Sequence, residues 1–294
     1  MFKLSLRQLT AAAVTAALTA PALAAAPLKL EVYNPGERSV FPVSSELVTG
    51  KTEAVLIDAQ FQRNDAEALV ERIKASGKKL TTIYISHSDP DFYFGLDVLH
   101  AAFPDAKIVA TPQTVAAIRA SKDGKLAYWG PILKDNAPKS LVVPEALPGD
   151  TLKVDGQRLE IRGLKGPAPE RTFVWIPSLK AVVGGVLVSG NMHVWTADTR
   201  TPAERASWQT ALADIGALHP STVVPGHFLP GSPQTLAPVR FTSDYLKVLE
   251  RELPQAKNAA ALTAAMQKHY PQLKGVEDLS LSAKVLKGEM AWPQ

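Results

Sequence analysis

The chain has 294 residues, a formal net charge of +4, 46% hydrophobic residues and no cysteine. Its basic residues are scattered among acidic ones, which argues against a nucleic-acid-binding protein. Without cysteine the chain can form neither disulfides nor thiolate metal sites, so a metal would have to be held by histidine and carboxylate side chains.

The first 26 residues have the pattern of a secretory signal peptide. Lys3 and Arg7 precede an apolar, alanine-rich run that ends in small residues. Cleavage is predicted after Ala24 or Ala26. We therefore expect a mature chain in the periplasm or outside the cell, with no stable membrane anchor after cleavage.

Strands and a helix alternate in the next part of the chain. The segments 28–34 and 53–59 are rich in apolar and β-branched residues and are predicted to be strands. A capping-box spacing at Asn64 opens a predicted helix that ends at Gly77. The apolar run 80–86 then predicts a strand that is buried on both faces of a sheet.

Downstream, a helix–strand alternation gives way to short, turn-bounded runs of antiparallel type, and helices close the chain. The predicted elements are a helix over 94–102, a strand over 107–111, a helix from Pro112, short strands between Leu141 and Val188, a capped helix from Thr201 toward Leu218, and a strand over 221–227. We predict a signal peptide over 1–26, a folded domain over 27–233, and a helical extension over 234–294 packed on that domain.

One histidine and two aspartates follow the strand over 80–86. Residues two apart in an extended segment point the same way, and Pro90 keeps Asp89 extended. His87, Asp89 and Asp91 can therefore converge on one point, where they would suit zinc, iron or manganese. The alternative is a simple turn, because aspartate and proline also favour turns.

A second histidine, His227, ends the predicted strand over 221–227. Ligands of layered α/β folds are usually bound at the carboxyl ends of strands, so we expect His87 and His227 on one rim of a sheet. His193 and Asp198, which lie just before the capped helix, are the best further candidates for this site.

The order of these elements, the Ser-His-x-Asp-x-Asp motif and the Val-Val-Pro-Gly-His turn resemble the metallo-β-lactamase superfamily over about residues 31–231. The resemblance implies a four-layer αββα sandwich. It also implies one or two zinc ions, held by a His-x-His-x-Asp-His motif, later histidines and a bridging aspartate. His87, Asp91 and His227 match this pattern in residue type.

Other positions depart from the family's pattern. Asp89 stands where the second histidine is expected, and Phe92 stands where the third is expected. No histidine follows the strand-like run 157–164, and Gly184-Gly185 offers only backbone in place of the bridging aspartate. The resemblance thus implies one zinc ion rather than two, with iron or manganese as alternatives.

The function that this chemistry favours is an exported hydrolase, in which a metal-bound hydroxide opens an amide, ester or lactone bond of a small-molecule substrate. The candidate ligands are His87, Asp89, Asp91, His227 and His193. Asp89 or Asp91, if free of the metal, would orient the water or protonate the leaving group.

The alternative function is a catalytically inactive periplasmic protein that binds a small amphipathic molecule on the same scaffold. The candidate wall residues are Phe92, Tyr93, Phe94, Trp129 and Trp195, although aromatic side chains are more often part of a core. Arg171 is a further candidate for substrate contact, because arginine can clamp a carboxylate. A surface salt bridge is its alternative role.

Overall fold

The structure is a computed structural model that describes residues 26–166 and 168–292. Apart from Ala26, the predicted signal peptide lies outside the described residues. Within the described part of the chain, no helix is both long and apolar enough to cross a membrane.

The first sheet has six strands in sequential order. They are β1 (Lys29–Tyr33), β2 (Ser45–Thr49), β3 (Glu53–Ile57), β4 (Lys79–Ile85), β5 (Lys107–Ala110) and β6 (Glu145–Ala146). β1, β2 and β3 pair antiparallel, whereas β3 to β6 pair parallel. The parallel strands end at one edge of the sheet, and the segment with His87 leaves β4 at that edge.

The second sheet has five strands in the order β12-β10-β9-β8-β7. They are β7 (Thr151–Val154), β8 (Gln157–Arg162), β9 (Phe173–Ile176), β10 (Ala181–Val183) and β12 (Thr222–Val223). β11 (Ser189–Gly190) and β13 (His227–Phe228) form a separate parallel pair. This short pair ties the His227 segment to the loop that precedes His193.

Helices cover the outer faces of both sheets. They are α1 (Arg63–Ser76), α2 (Pro90–Tyr93), α3 (Leu96–Ala102), α4 (Pro112–Leu133), α5 (Pro202–Ala217), α6 (Leu236–Glu252), α7 (Ala259–His269) and α8 (Val276–Leu286). Apolar residues of α1, α3 and α4 pack in one cluster with the first sheet, and those of α5 to α8 pack mainly in another with the second. The predicted αββα sandwich is therefore confirmed.

A third apolar cluster lies between the two sheets. Ile57 and Tyr84 of the first sheet meet Ile161 and Val174 of the second, and all four are almost fully buried. The two isoleucines and the valine each contribute about 1.5–3 kcal/mol through burial. The cluster holds the sheets face to face, which fixes the edge where the candidate site residues emerge.

Some local predictions differ from the structure. β2 was not predicted, because Ser45 and Glu46 give it a loop-like polar start, yet both residues are buried. Burial raises the pKa of Glu46 to about 8. Helix α1 begins at Arg63, and no side chain caps it, so the expected capping box at Asn64 is not formed. The predicted capping box at Thr201 is confirmed.

Candidate functional site

The candidate site residues meet in one pocket, here called the central pocket, at the edge where β4 ends. Its polar lining comes from separate parts of the chain and is closed by apolar rings. The lining includes Phe41, Asp89, Asp91, Lys125, Trp129, His193, Trp195, Asp198, His227, Asp278 and Trp292. The structure thus brings together seven predicted residues, namely Asp89, Asp91, Trp129, His193, Trp195, Asp198 and His227. The predicted ligand His87 is buried beside Asp89 and does not line the pocket.

Hydrogen bonds from neighbouring loops fix the segment that carries His87. The backbone nitrogen and the hydroxyl of Ser86 donate to Asp58, and the Gly185 nitrogen donates to the Ser86 hydroxyl at 2.7 Å. Gly185 has φ of +82°, and a Cβ there would clash with the Thr172 carbonyl oxygen. The glycine is needed for this close approach.

His87 is paired with the next aspartate of its own motif. Its Nδ1 lies 3.2 Å from Asp89 Oδ2 and 3.2 Å from the Asp89 backbone nitrogen. Burial alone would raise the pKa of Asp89, but His87, Lys125 and Arg171 outweigh it and hold that pKa well below its usual range. Asp89 is therefore a carboxylate that already has cationic neighbours.

Asp91 and His227 form a second pair, with 2.6 Å between Oδ2 and Nε2. They come from distant parts of the chain, since Asp91 lies in α2 and His227 opens β13. Burial alone would lower the pKa of His227, but the hydrogen bond and the charge of Asp91 outweigh it and raise that pKa. The expected position of His87 and His227 near one rim agrees with this geometry, because the Phe92 ring contacts both imidazoles.

Asp198 is the most heavily bonded carboxylate of the central pocket. Its Oδ2 accepts from Trp195 Nε1 at 2.5 Å, and its Oδ1 accepts from Trp292 Nε1 at 2.8 Å. Lys125 Nζ lies 3.5 Å from the same Oδ1 and 3.6 Å from Asp89 Oδ1. The lysine ammonium thus bridges two carboxylates that approach from different loops.

His193 lies in the pocket wall with one ring nitrogen paired and one unpaired. Nδ1 is 3.0 Å from the Tyr245 hydroxyl, while Nε2 is buried and has no hydrogen-bond partner among residues 26–166 and 168–292. Burial lowers the pKa of His193, so its ring is neutral near pH 7. The ring therefore offers one hydrogen-bonding atom toward the pocket.

Four predicted contact residues lie elsewhere. Phe92, Tyr93 and Phe94 are core side chains and are not part of the pocket wall, because α2 and the residue after it turn them inward beneath the motif. Arg171 is buried behind the pocket, where its guanidinium donates to the Asp198 carbonyl oxygen and lies over the Trp208 ring. The structure gives Arg171 a supporting role for the Asp198 loop in place of the predicted substrate contact.

The sequence reasoning missed Lys125, Asp278 and Trp292. A signal existed for Lys125, since it lies on the same buried stripe of α4 as Ile118 and Trp129, where a charged side chain needs a partner. Asp278 and Trp292 lie in and after α8, where no motif marked them. Burial raises the pKa of Asp278 to about 6.

The donor atoms of the central pocket do not fit a metal ion in this arrangement. Among residues 26–166 and 168–292, no group of three or more histidine, aspartate or glutamate side chains could hold one. His87 is paired with Asp89, and Asp91 with His227, while the Lys125 ammonium lies against Asp89. The predicted one-metal site stays a prediction that would require these pairs to separate.

Comparison with known proteins identifies the fold. The metallo-beta-lactamase superfamily model matches residues 38–227 of this chain. The comparison with curated proteins gave no significant match.

Several solved structures share the fold at low sequence identity. A metallo-beta-lactamase from Pontibacter korlensis has 20% identity and a TM-score of 0.56, covering 75% of this chain and 95% of that one. A metallo-beta-lactamase family protein from Thermus thermophilus has 17% identity and a TM-score of 0.61, covering 88% and 91%. The DIM-1 metallo-beta-lactamase has 20% identity and a TM-score of 0.54, covering 76% and 98%. These likenesses establish the fold and leave the activity to the site itself.

Proposed function

Because the chain belongs to the metallo-β-lactamase superfamily, we propose that it uses the pocket of that scaffold to bind a small amphipathic molecule without metal-dependent turnover. Five charged or titratable side chains of the pocket are paired with one another, namely Asp89, Asp91, Lys125, Asp198 and His227. Four aromatic rings form the apolar part of its wall, namely those of Phe41, Trp129, Trp195 and Trp292. Such a combination of apolar walls and a few fixed polar groups is typical of small-molecule sites.

The unpaired Nε2 of His193 is the observation that carries this proposal. The Tyr245 hydroxyl has a backbone hydrogen bond from Val194, so its own hydrogen is available to Nδ1 of His193. With the proton on Nδ1, both the hydroxyl hydrogen of Tyr245 and Nε2 of His193 would lack a partner. With the proton on Nε2, only that N–H group lacks one. We therefore assign the ring proton to Nε2, where it is a buried donor that gains from a ligand's acceptor oxygen.

Aromatic rings of the pocket wall provide a surface for the apolar part of the ligand. The rings of Phe41, Trp129 and Trp195 pack edge to face around the pocket, with 5.1 Å between the centroids of Phe41 and Trp129. The Trp292 ring belongs to the same group, with 5.3 Å between its centroid and that of Trp195. A ligand with one flat apolar part and one carbonyl-like oxygen fits this wall.

Acetophenone and isopropylbenzene test this proposal, because they are monosubstituted benzenes of similar size and only the first has a carbonyl oxygen. We expect acetophenone to bind more tightly in ligand-observed NMR. His193→Phe removes the donor and should weaken acetophenone binding roughly fivefold, the value of one hydrogen bond, while leaving isopropylbenzene binding unchanged.

His100→Phe is the matched control, because His100 is exposed on α3, away from the pocket. It should bind both compounds as the unmodified chain does. Equal affinity for the two compounds, or an equal loss in both histidine variants, would overturn the proposal that His193 receives the ligand.

The metal-dependent hydrolase favoured by the sequence is the second candidate function. The observation in its favour is that Asp89, Asp91 and His227 line one pocket, directly beside His87. In this candidate, the four side chains exchange their present partners for one metal ion, with His193 as a further ligand. Its substrate is an amide, ester or lactone.

A chromogenic ester, 4-nitrophenyl acetate, separates the two candidates. The binding proposal expects no increase in hydrolysis above the buffer rate when zinc is added. Zinc-dependent turnover that disappears in Asp91→Ala would instead establish the hydrolase. Ligand binding that survives in Asp91→Ala without any turnover would support the binding function.

We further propose that the mature chain acts in the periplasm or outside the cell, with a small molecule as its partner. The signal-peptide pattern supports export, and the scattered surface charge gives no support for nucleic-acid binding. The mass of the exported chain, measured by intact-protein mass spectrometry, checks cleavage after Ala24 or Ala26.

A further inference from the structure

We infer that the Lys125 ammonium is an internal cation that takes the place of a metal ion in the central pocket and keeps divalent cations out. Lys125 is 3% exposed, on the face of α4 that is turned toward the pocket. Its Nζ lies 3.6 Å from Asp89 Oδ1 and 3.5 Å from Asp198 Oδ1. This inference is independent of which ligand the pocket binds.

Asp89, a partner of Lys125, explains why this pocket needs a cation of its own. Asp89 stands at the position where the superfamily's motif has a histidine, so this chain has an anion in place of a neutral metal ligand. A buried carboxylate needs a nearby cation. Lys125 supplies that charge from within the chain, whereas a histidine at this position would leave the charge to a metal ion.

The lysine is held in place from several sides. The Trp292 ring lies 5.1 Å from Nζ and donates its own Nε1–H to Asp198. Carboxylate oxygens of Asp89 and Asp198 both lie within 3.6 Å of Nζ, so the ammonium has an anion on two sides. The ammonium is therefore charged and has little freedom to leave.

The same position makes Lys125 an obstacle to a metal ion. A zinc ion bound to Asp89 Oδ1 would lie about 2 Å from that oxygen and thus within about 6 Å of Nζ. At that separation in a buried site, the ammonium and a divalent cation repel each other strongly. Removing the ammonium would take away the cation nearest to Asp89 and Asp198. His87, Asp89 and Asp198 would then have to move together to hold a metal ion, because no three such side chains among residues 26–166 and 168–292 are placed to do so in the present arrangement.

Lys125→Met tests this directly, because methionine keeps an unbranched apolar side chain and removes the charge. We expect the unmodified full chain to bind no zinc after equilibration and dialysis. Lys125→Met should gain about one zinc ion per chain by elemental analysis and melt at a higher temperature with zinc than with EDTA. If Lys125→Met is unfolded alone, zinc should restore its folding.

Three further variants show whether zinc binding depends on the charge of Lys125 and on the carboxylate of Asp89. Lys125→Arg keeps the positive charge and should bind no zinc. Lys122→Ala removes a lysine from the exposed side of α4 and should also behave as the unmodified chain. Lys125→Met combined with Asp89→Asn should lose the zinc ion again, because the anionic donor is gone.

Two results would overturn the inference. One is stoichiometric zinc in the unmodified chain with Lys125 present. The other is a Lys125→Met chain that neither binds zinc nor gains stability or folding from it. Neither readout depends on the acetophenone experiment, so the binding proposal and this inference can fail separately.

Discussion

Asp91 and His227 make the closest contact between titratable side chains in the central pocket. Because Asp91 raises the pKa of His227, the folded chain binds the imidazole proton more tightly than the unfolded chain does. The resulting stabilisation is complete below the unfolded histidine value of about 6.5. It is lost as the pH rises through the higher folded-state pKa.

Asp91→Asn should therefore lower the free energy of unfolding by about 2 kcal/mol near pH 6, since it removes a hydrogen bond between charged groups. The difference from the unmodified chain should shrink as the pH is raised to about 9. Urea unfolding at several pH values measures both free energies.

Glu252→Gln provides the control for this prediction, because Glu252 pairs with His269 on the surface. Exposed ion pairs contribute little, so its unfolding curve should follow that of the unmodified chain at each pH. A loss in Asp91→Asn of equal size at every pH would show that the pair contributes through packing and not through the proton on His227.

At the scale of single elements, α1 and α5 begin in different ways. In α5 the Thr201 hydroxyl accepts from the Glu204 nitrogen at 3.2 Å, and Glu204 accepts from the Thr201 nitrogen at 2.7 Å. In α1, Asn64 lies inside the first turn and makes no such bond, because Gln62 precedes the helix. The two similar sequence patterns therefore do not stabilise their helices equally.

Thr201→Ala should lower the free energy of unfolding by about 1 kcal/mol through loss of the cap. Asn64→Ala, at the position where a cap was expected, should change it little or raise it slightly, because alanine favours the helix interior. Thermal or urea unfolding of both variants compares them. A larger loss in Asn64→Ala than in Thr201→Ala would contradict this account.

The sequence predicted correctly those features that depend on the residues of a single element. The strand before His87 and the cap at Thr201 follow from local patterns, and the resemblance supplied the layered fold. β2 was missed because its polar residues Ser45 and Glu46 are buried by contacts with other parts of the chain. Local patterns cannot show such contacts.

The site was predictable only in part for the same reason. His87, Asp89 and Asp91 lie in one motif, and His227 has a turn that marks it. Their present partners could not be foreseen, because Lys125 comes from the middle of a helix. Trp292 and Asp278 come from the end of the chain and carry no motif of their own.

At the scale of the whole molecule, the central pocket depends on several parts of the chain at once. The segment that follows β4 supplies Asp89 and Asp91, and α4 supplies Lys125. The end of the chain closes the pocket, since Trp292 contacts Asp198 and Lys125. The scaffold of a metal-binding superfamily thus contains a pocket in which Lys125 and His227 pair with three carboxylates, those of Asp89, Asp198 and Asp91.

The most direct test of this account is the metal content of the unmodified mature chain, exported to the periplasm and dialysed against a weak chelator. Elemental analysis should find no zinc, iron or manganese above the buffer, both as purified and after zinc is added and dialysed away. A stoichiometric metal ion that is lost in His87→Ala and in His227→Ala would contradict the account. It would establish the metal-dependent hydrolase as the better description of this pocket.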